Sequence, residues 1–144
     1  EHFDQYDAPR AGFVEQAYFF KLLGTASSGQ TVVMLHNADA SQASLLRYSL
    51  NDFPCFTVWK NTAGKADGYV TGLEPGTSFP NARQFEREQG RGVKLAGGES
   101  RTTTLTIEAL DTPEAVAQAL SEIQHLQQPT TPTIHPHPFP GTSC

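Results

Sequence analysis

Apolar positions over the first 110 residues fall into short runs separated by Gly, Pro, Asn, Asp and Ser, which is the pattern of strands bounded by turns. The aromatic-rich "GFVEQAYFFKLL" (12–23) stops at Gly24, and "GQTVVMLHN" (29–37) opens after Ser-Ser-Gly. Their proximity predicts a hairpin between them. In "SLLRYSL" (44–50) Leu46, Tyr48 and Leu50 share one face, with Arg47 and Ser49 on the other. "CFTVWK" (55–60) follows Asn51-Asp52-Phe53-Pro54 and leads into a loop, "NTAGKADG" (61–68). Another alternating run, "YVTGLE" (69–74), precedes a Gly-rich, charged excursion through "RGVKLAGGES". The last run, "RTTTLTIEAL", sets Leu105, Ile107 and Ala109 against Thr104, Thr106 and Glu108, and predicts burial of the first set.

One segment has the other period. "DTPEAVAQALSEIQHL" places Thr112 as N-cap, Pro113 at the first helical position and Glu114 in the first turn, so a helix is expected over 112–126. Val116, Leu120 and Ile123 form its apolar stripe. The tail that follows, residues 128–144, holds five of the ten prolines and no periodicity, so it is expected to lack a core of its own. The expected fold is all-β, an antiparallel β-sandwich with one C-terminal helix, over a domain of residues 1–127.

Composition narrows the function. A net charge of −5, with Lys and Arg gathered only in the loose series Arg83, Arg87, Arg91, argues against nucleic acid as partner. No apolar run is long enough to span a membrane, and no membrane partner is expected. Cys55 and Cys144 form no CxxC pair, and Cys55, between Pro54 and Phe56, reads as a small buried hydrophobe. A cytoplasmic setting is the default expectation. The chain opens on Glu1 and its single methionine is Met34, so it is expected to be a fragment, a processed chain or one half of a larger fold.

The stretch "YVTGLEPGTSFPN" (69–81) carries the candidate chemistry. In strand register Val70, Gly72 and Glu74 point one way and Tyr69, Thr71 and Leu73 the other. Glu74 thus stands beside a glycine, at a place where a ligand can approach the backbone closely. A carboxylate before Pro75-Gly76 is, from these residues alone, more often a solvated strand end.

The residues from "FPCFTVWK" through "YVTGLEPGTSFPNARQFEREQGRGVKLAGGES" resemble the C-terminal half of aldose 1-epimerase (galactose mutarotase-like) proteins. They are most similar to a bacterial branch with a "WK…GLEP…G…L..GES" series. "APRAGFVEQAYFFKL" and "HNADA" fit the same branch, so the resemblance covers roughly residues 1–110. It implies part of a mutarotase-like β-supersandwich and interconversion of the anomers of a free aldose. In that chemistry a glutamate takes the proton of the anomeric hydroxyl, a histidine protonates the ring oxygen, and the ring opens and recloses on either face. The resemblance places the glutamate's role on Glu74.

It also places Trp59 and Lys60 beside the sugar, an indole to stack on C–H groups and an ammonium to bond hydroxyls. Trp59 reads equally well as core. Asn81 and Arg83 either reach sugar hydroxyls or cap their own loop. The family's acid histidine lies in a His-x-Asn element, and none occurs in this chain. His2, His36, His125, His135 and His137 are all in other contexts, and the "IHPHP" pair lacks further ligands for a metal. No metal or organic cofactor is implied. Expected partners are a small-molecule sugar and either the missing N-terminal half or a second copy. The alternative function is a non-catalytic carbohydrate-binding module or an inactive remnant.

Overall fold

The computed structural model describes residues 2–128, 130–138 and 140–143. Six strands form two antiparallel three-stranded sheets, followed by a C-terminal helix. The all-β reading with one substantial helix therefore holds. The chain divides into two compact units, each containing one sheet.

The first unit holds β1 (Gln16–Phe20), β4 (Cys55–Asn61) and β5 (Val70–Gly76), in the order β1-β4-β5. The expected hairpin between the first two runs is not formed. β1 pairs instead with β4, Gln16 facing Lys60 and Phe20 facing Phe56. Turn residues between two runs mark a change of direction, not a partner, and Gly24–Gly29 here passes the chain from one sheet to the next. β5 continues past Glu74 through Pro75, which faces Phe56, to Gly76, which faces Cys55. As an edge strand it tolerates proline, whose missing N–H leaves no rung of an inner ladder unmade.

One face of this sheet carries Tyr18, Phe20, Phe56, Val58 and Lys60. The N-terminal segment is strapped across it. Phe3 packs on Phe20 with ring centroids 5.4 Å apart, the Tyr6 hydroxyl pairs with Thr71 Oγ1 at 2.7 Å, and Tyr69 donates to the Asp7 carbonyl at 2.8 Å. The described residues 137–138 and 140–143 also belong to this unit, and Thr142 is buried. Thr142 is thus packed, which the composition of the tail did not announce.

The second unit holds β2 (Gln30–His36), β3 (Ala43–Ser49), β6 (Leu105–Leu110) and α2 (Pro113–Gln127), with strand order β2-β3-β6. β2 and β3 form a hairpin whose turn is knotted by Asn37, its Oδ1 accepting from the backbone N–H of Ser41 and Gln42 at 3.0 and 2.9 Å. The helix starts as expected: Thr112 Oγ1 accepts from Ala115 N at 3.3 Å, and Pro113 occupies the first turn. Its stripe covers Val32 and Leu45, with Ala119 at the centre and Met34, Leu110, Ile123 and Leu126 around them. Arg47, on that same sheet face, bonds Glu108 of β6 at 2.6 Å and Glu122 of α2. Replacing Thr112 by Ala is expected to cost ~1 kcal/mol, read as a lower urea midpoint at unchanged slope. An unaltered midpoint would show that water caps the helix equally well.

The expected burial of Leu105, Ile107 and Ala109 is not observed. Ile107 is 73% exposed, Ala109 is exposed and Leu105 only half-buried. β6 is an edge strand, and α2 lies against the opposite face, the one that carries Glu108 and Leu110. Both faces of "LTIEAL" hold apolar residues, so alternation alone picked the wrong one.

Candidate functional site

The antiparallel register determines who shares a face with Glu74. Glu74 faces Thr57, Gly72 faces Trp59, and on the far side of β4 Thr57 faces Phe19 while Trp59 faces Ala17. Glu74, Trp59, Thr57 and Phe19 therefore stand on one surface of the β1-β4-β5 sheet. Glu74 is exposed and Trp59 half-buried, whereas Thr57 is buried at 2% exposure. The indole has Gly72 and Ala17 as its cross-strand neighbours, so small residues flank it on both sides, and its Nε1 donates to Glu15 Oε2 at 3.1 Å.

Gly72 does more than leave room. The Glu74 side chain folds over it: a methyl group at Gly72 would sit 3.1 Å from Glu74 Cδ, 3.2 Å from its Cγ and against its Oε1. The carboxylate occupies the space that any other residue at position 72 would fill. Gly72 and Glu74 thus share a face as the alternation predicts, and the glycine is the seat of the acid.

Lys60 lies on the opposite face, paired across the ladder with Thr71 and Gln16. Its side chain is buried and its ammonium donates to the carbonyls of His2 at 2.9 Å and Gln5 at 2.6 Å, beneath the Tyr6 ring. In this arrangement it rivets the N-terminal segment and does not border Glu74. Arg83 is the exposed first residue of α1 (Arg83–Glu88). Asn81 is half-buried just before that helix, its Nδ2 donating to Glu86 Oε1 at 2.7 Å and to the Thr142 carbonyl at 2.8 Å.

Sequence reasoning missed the group that organises this loop. Glu86 is 4% exposed, and its carboxylate accepts from Phe79 N at 3.0 Å, Asn81 Nδ2, and both Nε and Nη2 of Arg91 at 2.5 and 2.7 Å. The Arg91 fork, foremost, with the Asn81 and Phe79 donors, outweighs burial and holds the carboxyl at about 2. The chain reverses at Gly90 (φ +71°), a conformation glycine adopts without strain, which brings Arg91 back onto the helix it has just left. Arg91 also lies over the rings of Phe79 and Phe85, and Phe79 stacks on Phe19 at 4.8 Å. The loop is thereby registered on the Phe19–Thr57 part of the Glu74 surface. An acid and a base five residues apart around Gln89-Gly90 was the available signal. On the same face as Thr57, Cys55 is buried, as expected, and burial pushes its thiol pKa up. Among the described residues no three His, Cys, Asp or Glu side chains converge as metal ligands would.

Two antiparallel three-stranded sheets with a C-terminal helix, one of them presenting an acid beside an indole, form part of an aldose epimerase-like architecture. The crystal structure of "a putative aldose 1-epimerase" from Klebsiella pneumoniae subsp. pneumoniae MGH 78578 matches with a TM-score of 0.82 and 30% identity, over 88% of this chain and 33% of that one. The chain therefore spans about a third of that protein's length. Residues 1–109 match the family model described as "Domain of unknown function (DUF4432)", and the chain belongs to that family.

Proposed function

We propose that this chain supplies the base-bearing part of a carbohydrate-active isomerase that interconverts the anomers of a free aldose by ring opening and closure. Glu74 takes the proton of the anomeric hydroxyl and returns it on reclosure, a task for a carboxylate within hydrogen-bond reach of that oxygen. Trp59 offers its indole face to sugar C–H groups, and Asn81 and Arg83 bond hydroxyls at the rim. The acid that protonates the ring oxygen comes from outside this chain, which contains no His-x-Asn element, and from the N-terminal part of the same domain. The setting is cytoplasmic; no described helix is long and apolar enough to cross a membrane.

The observation that carries the reading is the exposed Glu74 carboxylate, seated over Gly72 on the surface that Trp59 shares, in a chain 30% identical to the Klebsiella protein. Polarimetry of freshly dissolved D-galactose and D-glucose tests it. Joined to the remainder of a mutarotase-like domain, the chain should speed the approach to anomeric equilibrium, and by itself it should bind aldose while interconversion stays at the uncatalysed rate. Binding without interconversion in the joined protein would establish the carbohydrate-binding module instead. Failure to bind any aldose would overturn both.

A further inference from the structure

We propose that Glu15 is a positioning residue for the aldose subsite beside Glu74, acting through the indole of Trp59. The proposal rests on the reading of the Glu74 surface given above and adds what orients its aromatic platform.

The starting point is an indole that the core does not use. β4 is the central strand of its sheet, and Cys55, Phe56, Thr57, Val58 and Lys60 along it are all buried. Trp59, the one tryptophan of the chain, is left half-buried among them. An indole that served packing would face large side chains. Here its cross-strand neighbours are Ala17 and Gly72, and among the described residues no other aromatic ring packs on it.

The ring is nevertheless held. Gln16 faces Lys60, so Glu15 comes one rung beyond the ladder, on the same side of the sheet as Ala17 and diagonal to Trp59. Long side chains reach across such a diagonal, and Trp59 Nε1 donates to Glu15 Oε2 at 3.1 Å. Glu15 is exposed, and among the described residues Trp59 is its one side-chain partner. On the other flank the Glu74 side chain folds over Gly72, the residue that faces Trp59 from β5. Strand order therefore sets the indole between two carboxylates, one bonded to its N–H and the other the base.

The consequence is orientation. Rotation about χ2 of tryptophan is soft and roughly two-fold. Without an acceptor the ring can turn over, carrying Nε1 away from β1, and the plane offered to sugar C–H groups turns with it. Glu15 selects one of the two states. An aldose then meets a ring already set, so less freedom is lost on binding. The plane on which the sugar rests also governs how its anomeric hydroxyl approaches Glu74, and small errors there are costly to the reaction.

The test uses the ¹⁵N-labelled full chain titrated with D-galactose and D-glucose, with Kd taken from the backbone amide of Gly72. Because Trp59 is the one tryptophan, its Nε1–H gives a single indole signal. In the native chain that signal should lie downfield, as a hydrogen-bonded N–H does. In Glu15→Ala it should move upfield and exchange faster with water. The same variant should raise Kd about 5-fold, the factor that ordering one more side chain adds to an association. Glu15→Gln keeps an acceptor oxygen and should restore both the signal and the affinity. In a Trp59→Phe background, Glu15→Ala should cost nothing further, because the two residues act as a unit. A native indole signal that coincides with that of Glu15→Ala would overturn the proposal and leave the Glu74 reading standing. So would an unchanged Kd in Glu15→Ala, or a loss that Glu15→Gln shares. A native chain that binds neither sugar would overturn the underlying reading as well.

Discussion

Glu74→Gln should slow anomer interconversion by about 10²–10⁴-fold in a protein that joins this chain to the rest of a mutarotase-like domain, the usual worth of a general base. The amide keeps the size of the carboxyl and cannot accept the anomeric proton, so aldose affinity should change far less than the rate. Gly72→Ala is the companion experiment. Its methyl would lie 3.1 Å from Glu74 Cδ and against Oε1, so the acid must swing off its seat while the backbone stays in place. The rate should fall with the thermal midpoint nearly unchanged. If both variants match the native rate in polarimetry, the carboxylate in "YVTGLE" is a solvated side chain on an edge strand and the base lies elsewhere.

The second large effect concerns stability. Arg91→Ala removes the principal partner of a buried carboxylate, and leaving such a charge uncompensated typically costs about 3–5 kcal/mol. Acid titration reads the same contact. The Glu86 carboxyl is held at about 2, chiefly by the Arg91 fork, against an ordinary value of 4.5. A depressed folded value means that the stabilisation is complete above pH 4.5 and disappears as pH falls toward 2. The shift corresponds to about 3 kcal/mol. In Arg91→Ala the chief lowering cause is gone and desolvation acts the other way, so the loss should already be present at pH 7 and the acid dependence between pH 5 and 2 should flatten. Urea denaturation at pH 7 and pH 3 would show it. Equal midpoints for the two proteins at pH 7 would mean that Glu86 is neutralised or hydrated without Arg91.

How much of this was legible follows from which interactions are local. The helix was readable to within a residue because its signals, Thr112, Pro113 and the spacing of Val116 and Ile123, act within one or two turns. Strand positions from 30 to 76 and the shared face of Gly72 and Glu74 follow from a period of two. Pairing is not local. Nothing in "QAYFF" names "CFTVWK" as its partner, and the nearer run was the wrong choice. The side on which a helix will lie is not local either, which is why Ile107 was placed inside. Lys60 shows the same limit: position 60 next to Trp59 suggests shared duty, but adjacent residues of a strand face opposite ways. The Glu86–Arg91 clamp closes around a turn at Gly90 that belongs to neither period.

The pairing of β1 with β4 also dictates an order of events as the polypeptide is made. Gln16 meets Lys60, and the complete β2–β3 hairpin lies between them in the chain. That hairpin, with neighbours joined by a short turn, has everything it needs to form early. β1 must wait, its aromatic side chains unpaired, until the ribosome has delivered a stretch more than twice as long as the hairpin's own strands together. The sheet bearing Glu74 consequently cannot begin from its own first strand, and no single cut in the gene excises it intact. Chaperone dependence during expression should trace to "QAYFF", and adding charge at exposed Ala17 should relieve it without touching the finished ladder.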